Sequence, residues 1–194
     1  MPDWSLQLAP YLAHFLFWSP YLIRGQVDRS RGRDDGPAVH AAPGAQGLIV
    51  RHSLATLGMY VGLSGGIFST PTGVLTGAMA ACGWGLILAG TLLSLWTLWV
   101  FRSWKLRAEL HVTHELCVDG PFGLVRHPIY TAMILLALGT AVWVPNALTI
   151  GSILGIAWVG DQRARAEERI LLAAFGGRYQ AFMAATKRFF PGVY

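Results

Sequence analysis

Five uncharged apolar runs organise this chain. Residues 4–23 form the first, twenty positions that at about 1.5 Å each match a hydrocarbon core about 30 Å thick, with Pro10 predicting a kink. Residues 52–68 form the second, where Gly58, Gly62, Gly65 and Gly66 set small residues on one helical face, a pattern that lets helices approach closely in lipid. A turn follows at 69–72, marked by Pro71. Residues 73–100 then run twenty-eight positions without a charge, longer than a straight crossing needs, which predicts tilt or projection past the bilayer. Trp96, Trp99 and Trp104 gather near the far end of this run, where indole rings favour the membrane interface.

The last two runs, 129–144 and 147–159, are short, at 16 and 13 residues, and flank a Pro145-Asn146 turn. Either this hairpin stops short of the far side, or its polar flanks sit below the headgroups with long side chains snorkelling outward; the second reading is preferred. Between the first two runs, residues 24–46 mix arginine, aspartate, glycine and proline without apolar periodicity, which predicts a solvated loop to which no chemistry is assigned. The first run lacks the basic flank and small-residue cleavage site of a signal peptide. The expected fold class is therefore an all-α integral membrane protein with five transmembrane helices. It is one domain over 1–194, a three-helix part at 1–100 followed by a polar, chemistry-bearing part at 101–194.

Composition sharpens this picture. Hydrophobic residues make up 54% of the chain and charged residues 13%, well below the roughly 25% of a soluble domain. The net charge of +5 could suggest nucleic acid, but every one of the 15 lysines and arginines falls in 24–51, 101–128 or 160–194. With five crossings those three segments share one face. The positive-inside rule then puts the N-terminus outside and the C-terminus in the cytoplasm, and nucleic acid is excluded as a partner. Cys82 and Cys117 are too few for a disulfide framework and are expected reduced. No glycine-rich strand-to-helix loop, HExxH, CxxC or G-x-S-x-G motif occurs, which sets aside nucleotide cradles, zinc sites and serine hydrolases; no metal ligand set is expected.

The candidate chemistry lies in two stretches on the cytoplasmic face. Residues 114–130, HELCVDGPFGLVRHPIY, end in Arg126-His127-Pro128 directly before an apolar run, so Pro128 predicts a helix start whose free N–H groups suit an anion. Arg163 and Glu167, four apart, share one helical face, with Glu168 on a neighbouring one. Taken singly these residues have plainer readings. The run around Arg163 is most often a solvated helix end, His114 an interfacial polar residue, His127 a helix cap, and Phe175, Tyr179 and Phe182 packing aromatics.

Taken jointly, His114, Gly120, Phe122, Arg126-His127-Pro128, Tyr130, Arg163 with Glu167-Glu168, Phe175-Gly176, Tyr179, Phe182 and Arg188 to Pro191 resemble the isoprenylcysteine carboxyl methyltransferase family and its phospholipid methyltransferase relatives, over 101–191. The resemblance implies a membrane enzyme using S-adenosyl-L-methionine, releasing S-adenosyl-L-homocysteine, with a C-terminal cytoplasmic helix completing the cofactor site. It implies a cofactor pocket lined by His114, Glu115, Leu116, Cys117, Phe122, His127, Pro128, Ile129 and Tyr130, with Glu167 facing the cofactor and Arg163 the substrate. Arg163, Glu167 and Glu168 are the catalytic candidates. Phe122 replaces the family's usual tyrosine, Cys117 stands where an aliphatic residue is common, and Gly123 where a larger one is frequent.

The cofactor's ammonium suits a glutamate, and its carboxylate suits imidazole or free N–H groups. A carboxylate acceptor is already ionised and needs no base; an amine acceptor must lose a proton, which Glu167 or Glu168 would take. The favoured expectation is carboxyl methylation of an isoprenylcysteine-like or other lipidic acid drawn from membrane lipid. The alternatives are N-methylation of a phosphatidylethanolamine-type headgroup and a non-catalytic lipid-binding protein. A sterol-reductase-like NADPH enzyme is disfavoured for want of an extended basic site.

Overall fold

The computed structural model describes residues 4–30, 40–41, 44–69, 77–101, 109–110 and 116–194. The long elements are helices: α1 (Trp4–Ser30), α2 (Ala45–Ser69), α3 (Ala78–Val100), α4 (Pro128–Trp143), α5 (Ala147–Phe175) and α6 (Gly177–Ala185). Two two-residue strands, β1 (His40–Ala41) and β2 (Glu109–Leu110), pair antiparallel, His40 opposite Leu110. A 3-10 turn at Gly120–Gly123 leads toward α4.

Helix α4 is the centre of the bundle, with thirteen buried residues, and it packs against both α3 and α5. Contact with α3 depends on glycine. A β-carbon at Gly139 would lie 2.6 Å from the Gly83 carbonyl oxygen, and one at Gly90 would lie 2.8 Å from that of Ala132. The predicted small-residue face of α2 meets α5 instead, where a β-carbon at Gly58 would touch Ser152 Oγ at 3.2 Å and one at Gly155 would touch Ala55 at 3.1 Å. Polar side chains join α1 to the bundle: Tyr11 donates to Ser64 at 2.8 Å, His14 bonds Tyr60 at 3.1 Å and Thr140 at 2.9 Å, and Tyr21 bonds Ser94 at 2.5 Å.

Helix α3 is long and apolar enough to span a membrane, and most of it is not buried inside the fold. Its Leu88, Leu92, Leu95, Trp96 and Trp99 face outward. A core helix of a soluble protein would bury such residues, so this face suits lipid. Outward leucines on α1 and α2, among them Leu12, Leu16, Leu54 and Leu57, continue the apolar surface.

Helix boundaries depart from the hydropathy pattern. Helix α1 runs on to Ser30, into the stretch expected to be loop, and α2 begins at Ala45 rather than at 52. The most consequential extension is α5, which continues without a break from Ala147 to Phe175. Its apolar 13-residue limb is the first part of a 29-residue helix. Hydropathy falls after Val159, but the following Arg, Ala and Glu residues are strong helix formers, so the helix carries on into polar surroundings. Asn146 starts it with a capping box: its side chain accepts from Leu148 and Thr149 N–H, and Thr149 Oγ1 accepts from Asn146 N–H. Gly176, at φ +53°, ends α5 and turns the chain into α6.

Candidate active site

Two chain segments meet beneath the start of α4. Residues 125–127 pair in parallel with 187–188: Arg126 N–H donates to the Lys187 carbonyl at 2.8 Å and His127 N–H to the Arg188 carbonyl at 3.1 Å. Thr131 Oγ1 then donates to the Phe189 carbonyl at 2.9 Å, so the C-terminal return is fastened along the first turn of α4. Pro128 opens that helix as its sequence position predicts. The anion site expected there is narrower than anticipated, because the His127 N–H is already engaged and Pro128 has none.

His127, buried, stands between the two glutamates of α5. Its Nδ1 lies 3.5 Å from Glu167 Oε2 and its Nε2 lies 3.4 Å from Glu168 Oε1. Neither distance is a tight hydrogen bond, and Nε2 is buried without a hydrogen-bond partner among the described residues. Burial alone would hold the imidazole neutral, but the two carboxylates more than reverse that and raise its pKa above 6.5. Burial would likewise raise Glu167, yet His127, Tyr130 and Arg163 together leave it below its ordinary 4.5. The His127 imidazole and two carboxylates thus share one small volume.

The two glutamates have different surroundings. Glu168 is 6% exposed and is clasped by two arginines. Arg126 Nε donates to Oε1 at 3.1 Å, while Arg188 donates from Nε to Oε1 at 3.1 Å and from Nη2 to Oε2 at 2.7 Å. His127 and Arg188 hold its carboxyl far below the usual range, against the opposing effect of burial. Arg126 also donates to the Met183 carbonyl at 3.0 Å and to that of Thr186, which ties α6 to the same point. Glu167 is a quarter exposed and accepts from Tyr130 Oη at 2.5 Å. Arg163, 8% exposed, sets its guanidinium carbon 5.3 Å from the centre of the same Tyr130 ring, a cation–π arrangement. Tyr130 therefore touches both an anionic pole at Glu167 and a cationic one at Arg163.

Of the residues expected in the site, His127, Pro128, Ile129, Tyr130, Arg163, Glu167 and Glu168 are brought together where the start of α4 faces the middle of α5. Leu116 and Cys117 are half-buried on the approach to the 3-10 turn, and burial pushes the Cys117 thiol up, away from the reactive thiolate. Phe122 is buried edge-to-face on Phe101, with ring centres 5.3 Å apart. The missing hydroxyl therefore leaves an apolar contact with the end of α3. His114 and Glu115 lie outside the described residues.

A flanking network was missed from sequence. Asp161 accepts from Arg188 at 2.8 Å, from Arg165 at 2.7 Å and from Tyr194 Oη at 2.9 Å. These groups hold its carboxyl below its ordinary value despite partial burial. The i, i+4 spacing of Asp161 and Arg165 was a visible signal; the arrival of Tyr194 was not.

The model of the isoprenylcysteine carboxyl methyltransferase (ICMT) family matches residues 81–173, just under half the chain. No curated protein matches. The matched stretch starts inside α3, earlier than the motifs alone suggested, and stops before α6 and the return that carries Arg188. From the third helix through the glutamate pair, the chain is thus similar to the isoprenylcysteine carboxyl methyltransferase family.

Proposed function

We propose that this protein is an S-adenosylmethionine-dependent methyltransferase that esterifies the carboxylate of a prenylated or otherwise lipidic acid. The observation that carries the reading is the pair of opposite poles on α5, Glu167 and Arg163, set four residues apart, the first on the Tyr130 hydroxyl and the second over its ring. When bound, S-adenosylmethionine supplies a sulfonium methyl group: a carboxylate oxygen of the acceptor forms the new O–C bond as the C–S bond breaks, and sulfur keeps the electron pair to become a neutral thioether.

The residues present fit that cofactor. Glu167, ionised and partly exposed, offers a carboxylate to its ammonium. His127, its pKa raised by the two carboxylates and its Nε2 lacking a hydrogen bond among the described residues, offers a donor to its carboxylate. Leu116, Cys117, Phe122, Pro128, Ile129 and Tyr130, with His114 and Glu115, complete the proposed lining. Arg163 orients the acceptor carboxylate. Because that acceptor is already ionised, no side chain has to take a proton, and alignment with exclusion of water supplies most of the acceleration.

The acidity of both glutamates favours this reaction over N-methylation of an amine headgroup. Each is held below 4.5, which makes it a weak base for an ammonium acceptor. The proposed setting is a five-crossing protein with its site on the cytoplasmic face, a topology supported by the confinement of all 15 basic residues to three segments on one side.

The test supplies purified protein in lipid nanodiscs with methyl-labelled S-adenosylmethionine and N-acetyl-S-farnesylcysteine. Base-labile label on the farnesyl acid is the expected result. Alkali-stable label in phosphatidylethanolamine would replace it with the amine reaction, and no binding of S-adenosylhomocysteine by calorimetry would end the reading.

A further inference from the structure

One buried polar group takes no part in the site described above. His52, near the start of α2, is 7% exposed, and neither of its ring nitrogens has a hydrogen-bond partner among the described residues. The other buried histidines among the described residues differ. His14 bonds through both nitrogens, and His127 stands between two carboxylates. A neutral imidazole carries one donor and one acceptor, and burying both unmade opposes folding, so an apolar residue would serve packing better.

The position of His52 says what could satisfy it. Helices α2 and α5 pack antiparallel, in close contact at Gly58 with Ser152 and at Ala55 with Gly155. Nearer the cytoplasmic side Leu48 packs on Ala166 and Ile170. His52 falls between these layers. Its neighbour Arg51 reaches Gln162 at 3.5 Å, which sets the register, and Arg163 is close enough for its charge to act on the ring. Arg163 in turn lies one helical turn, about 6 Å, nearer the apolar half of α5 than Glu167. A lipidic acid arriving from the bilayer meets the His52–Arg163 layer before the Glu167 pole.

We infer that His52 joins Arg163 in holding the acceptor, donating a ring N–H to one carboxylate oxygen. This rests on the methyltransferase reading and adds a recognition residue from α2, outside the segment matched by the family. Two donors from facing helices would fix the plane of the carboxylate and leave its second oxygen directed at the cofactor pole. A single arginine leaves that rotation open.

The test uses full-length protein in nanodiscs: binding of N-acetyl-S-farnesylcysteine is measured by tryptophan fluorescence with S-adenosylhomocysteine saturating, and KM and kcat for the same acid are measured separately with S-adenosylmethionine as donor. In His52→Leu the probe's Kd and KM should rise at least tenfold, while S-adenosylhomocysteine affinity and the melting temperature hold. His52→Gln, which restores an N–H, should recover the probe's Kd to within a few-fold. If His52→Leu binds the probe as wild type does, the inference is overturned and the methyltransferase reading stands. If it loses S-adenosylhomocysteine equally, the residue is structural and the inference is overturned. Wild type binding neither compound would remove both.

Discussion

Arg188 grips Glu168 through two parallel hydrogen bonds, Nε to Oε1 at 3.1 Å and Nη2 to Oε2 at 2.7 Å, across twenty residues of chain. With Arg126 on the same carboxylate, the pairing ties α5, the entry to α4 and the C-terminal return into one joint. Glu167 next to it accepts from Tyr130 Oη and leaves a quarter of its side chain open. Two adjacent, chemically identical residues therefore have different surroundings, and in the proposed function Glu167 is the one that meets the ligand.

That division predicts different consequences for the same substitution. Removing one member of a buried ion-pair network typically costs about 3–5 kcal/mol, because the remaining charges are left uncompensated. Glu168→Gln should therefore lower unfolding stability by about that amount, whereas Glu167→Gln should cost much less, since His127 keeps Glu168 nearby. The affinity for S-adenosylhomocysteine should fall in Glu167→Gln at temperatures where it remains folded. Thermal unfolding and calorimetry on both variants decide it; an unchanged melting temperature in Glu168→Gln would move that residue into the chemistry.

The imidazole between the glutamates makes stability depend on pH at both ends. Against the effect of burial, His127 is held above its ordinary 6.5, so its contribution is complete below 6.5 and is lost as pH rises through the folded-state value. Glu167 is held below 4.5, so its contribution is present above 4.5 and is lost as pH falls through its own lowered value. The cluster should be most stabilising between about 4.5 and 6.5. Melting temperature recorded against pH should decline above 6.5 in wild type and flatten on that side in His127→Asn; parallel alkaline limbs in the two proteins would rule this out.

Much of the scaffold was legible because lipid imposes a coarse rule: uncharged runs become helices, and glycines at helical spacing mark close approach. The Pro145-Asn146 turn was equally visible, and the structure makes Asn146 a cap. Helix ends were not, because hydropathy reports solvent rather than backbone, and Ala, Arg and Glu let α5 continue beyond Val159. In the site, His127 and Tyr130 came from the family resemblance, whereas the pairing of Arg163 with Glu167 was readable from helical spacing. The clasp on Glu168 was not, since parallel pairing of residues 125–127 with 187–188 leaves no local signature. His52 gave no signal either: a histidine at the edge of an apolar run reads as interfacial until its burial is known.

The α3–α4 contact offers the most direct link between bundle packing and the site. A β-carbon at Gly139 would lie 2.6 Å from the Gly83 carbonyl oxygen and 2.9 Å from the Ile87 amide nitrogen. Both are backbone atoms in helix α3, so neither can turn aside, and the two helices must separate. Helix α4 carries His127 and Tyr130 in its first turn, so a displacement along it reaches the groups assigned to the cofactor. Gly139→Val should therefore destabilise the protein by about 1–3 kcal/mol and weaken S-adenosylhomocysteine binding as well. Gly151→Ala provides the comparison: that position is exposed on α5 with nothing within 4 Å of an added β-carbon, and alanine in an exposed helix is worth up to about 1 kcal/mol over glycine. Unfolding in nanodiscs should move the two melting temperatures in opposite directions. Equal values would mean that the close approach of α3 and α4 does not set the geometry of the site.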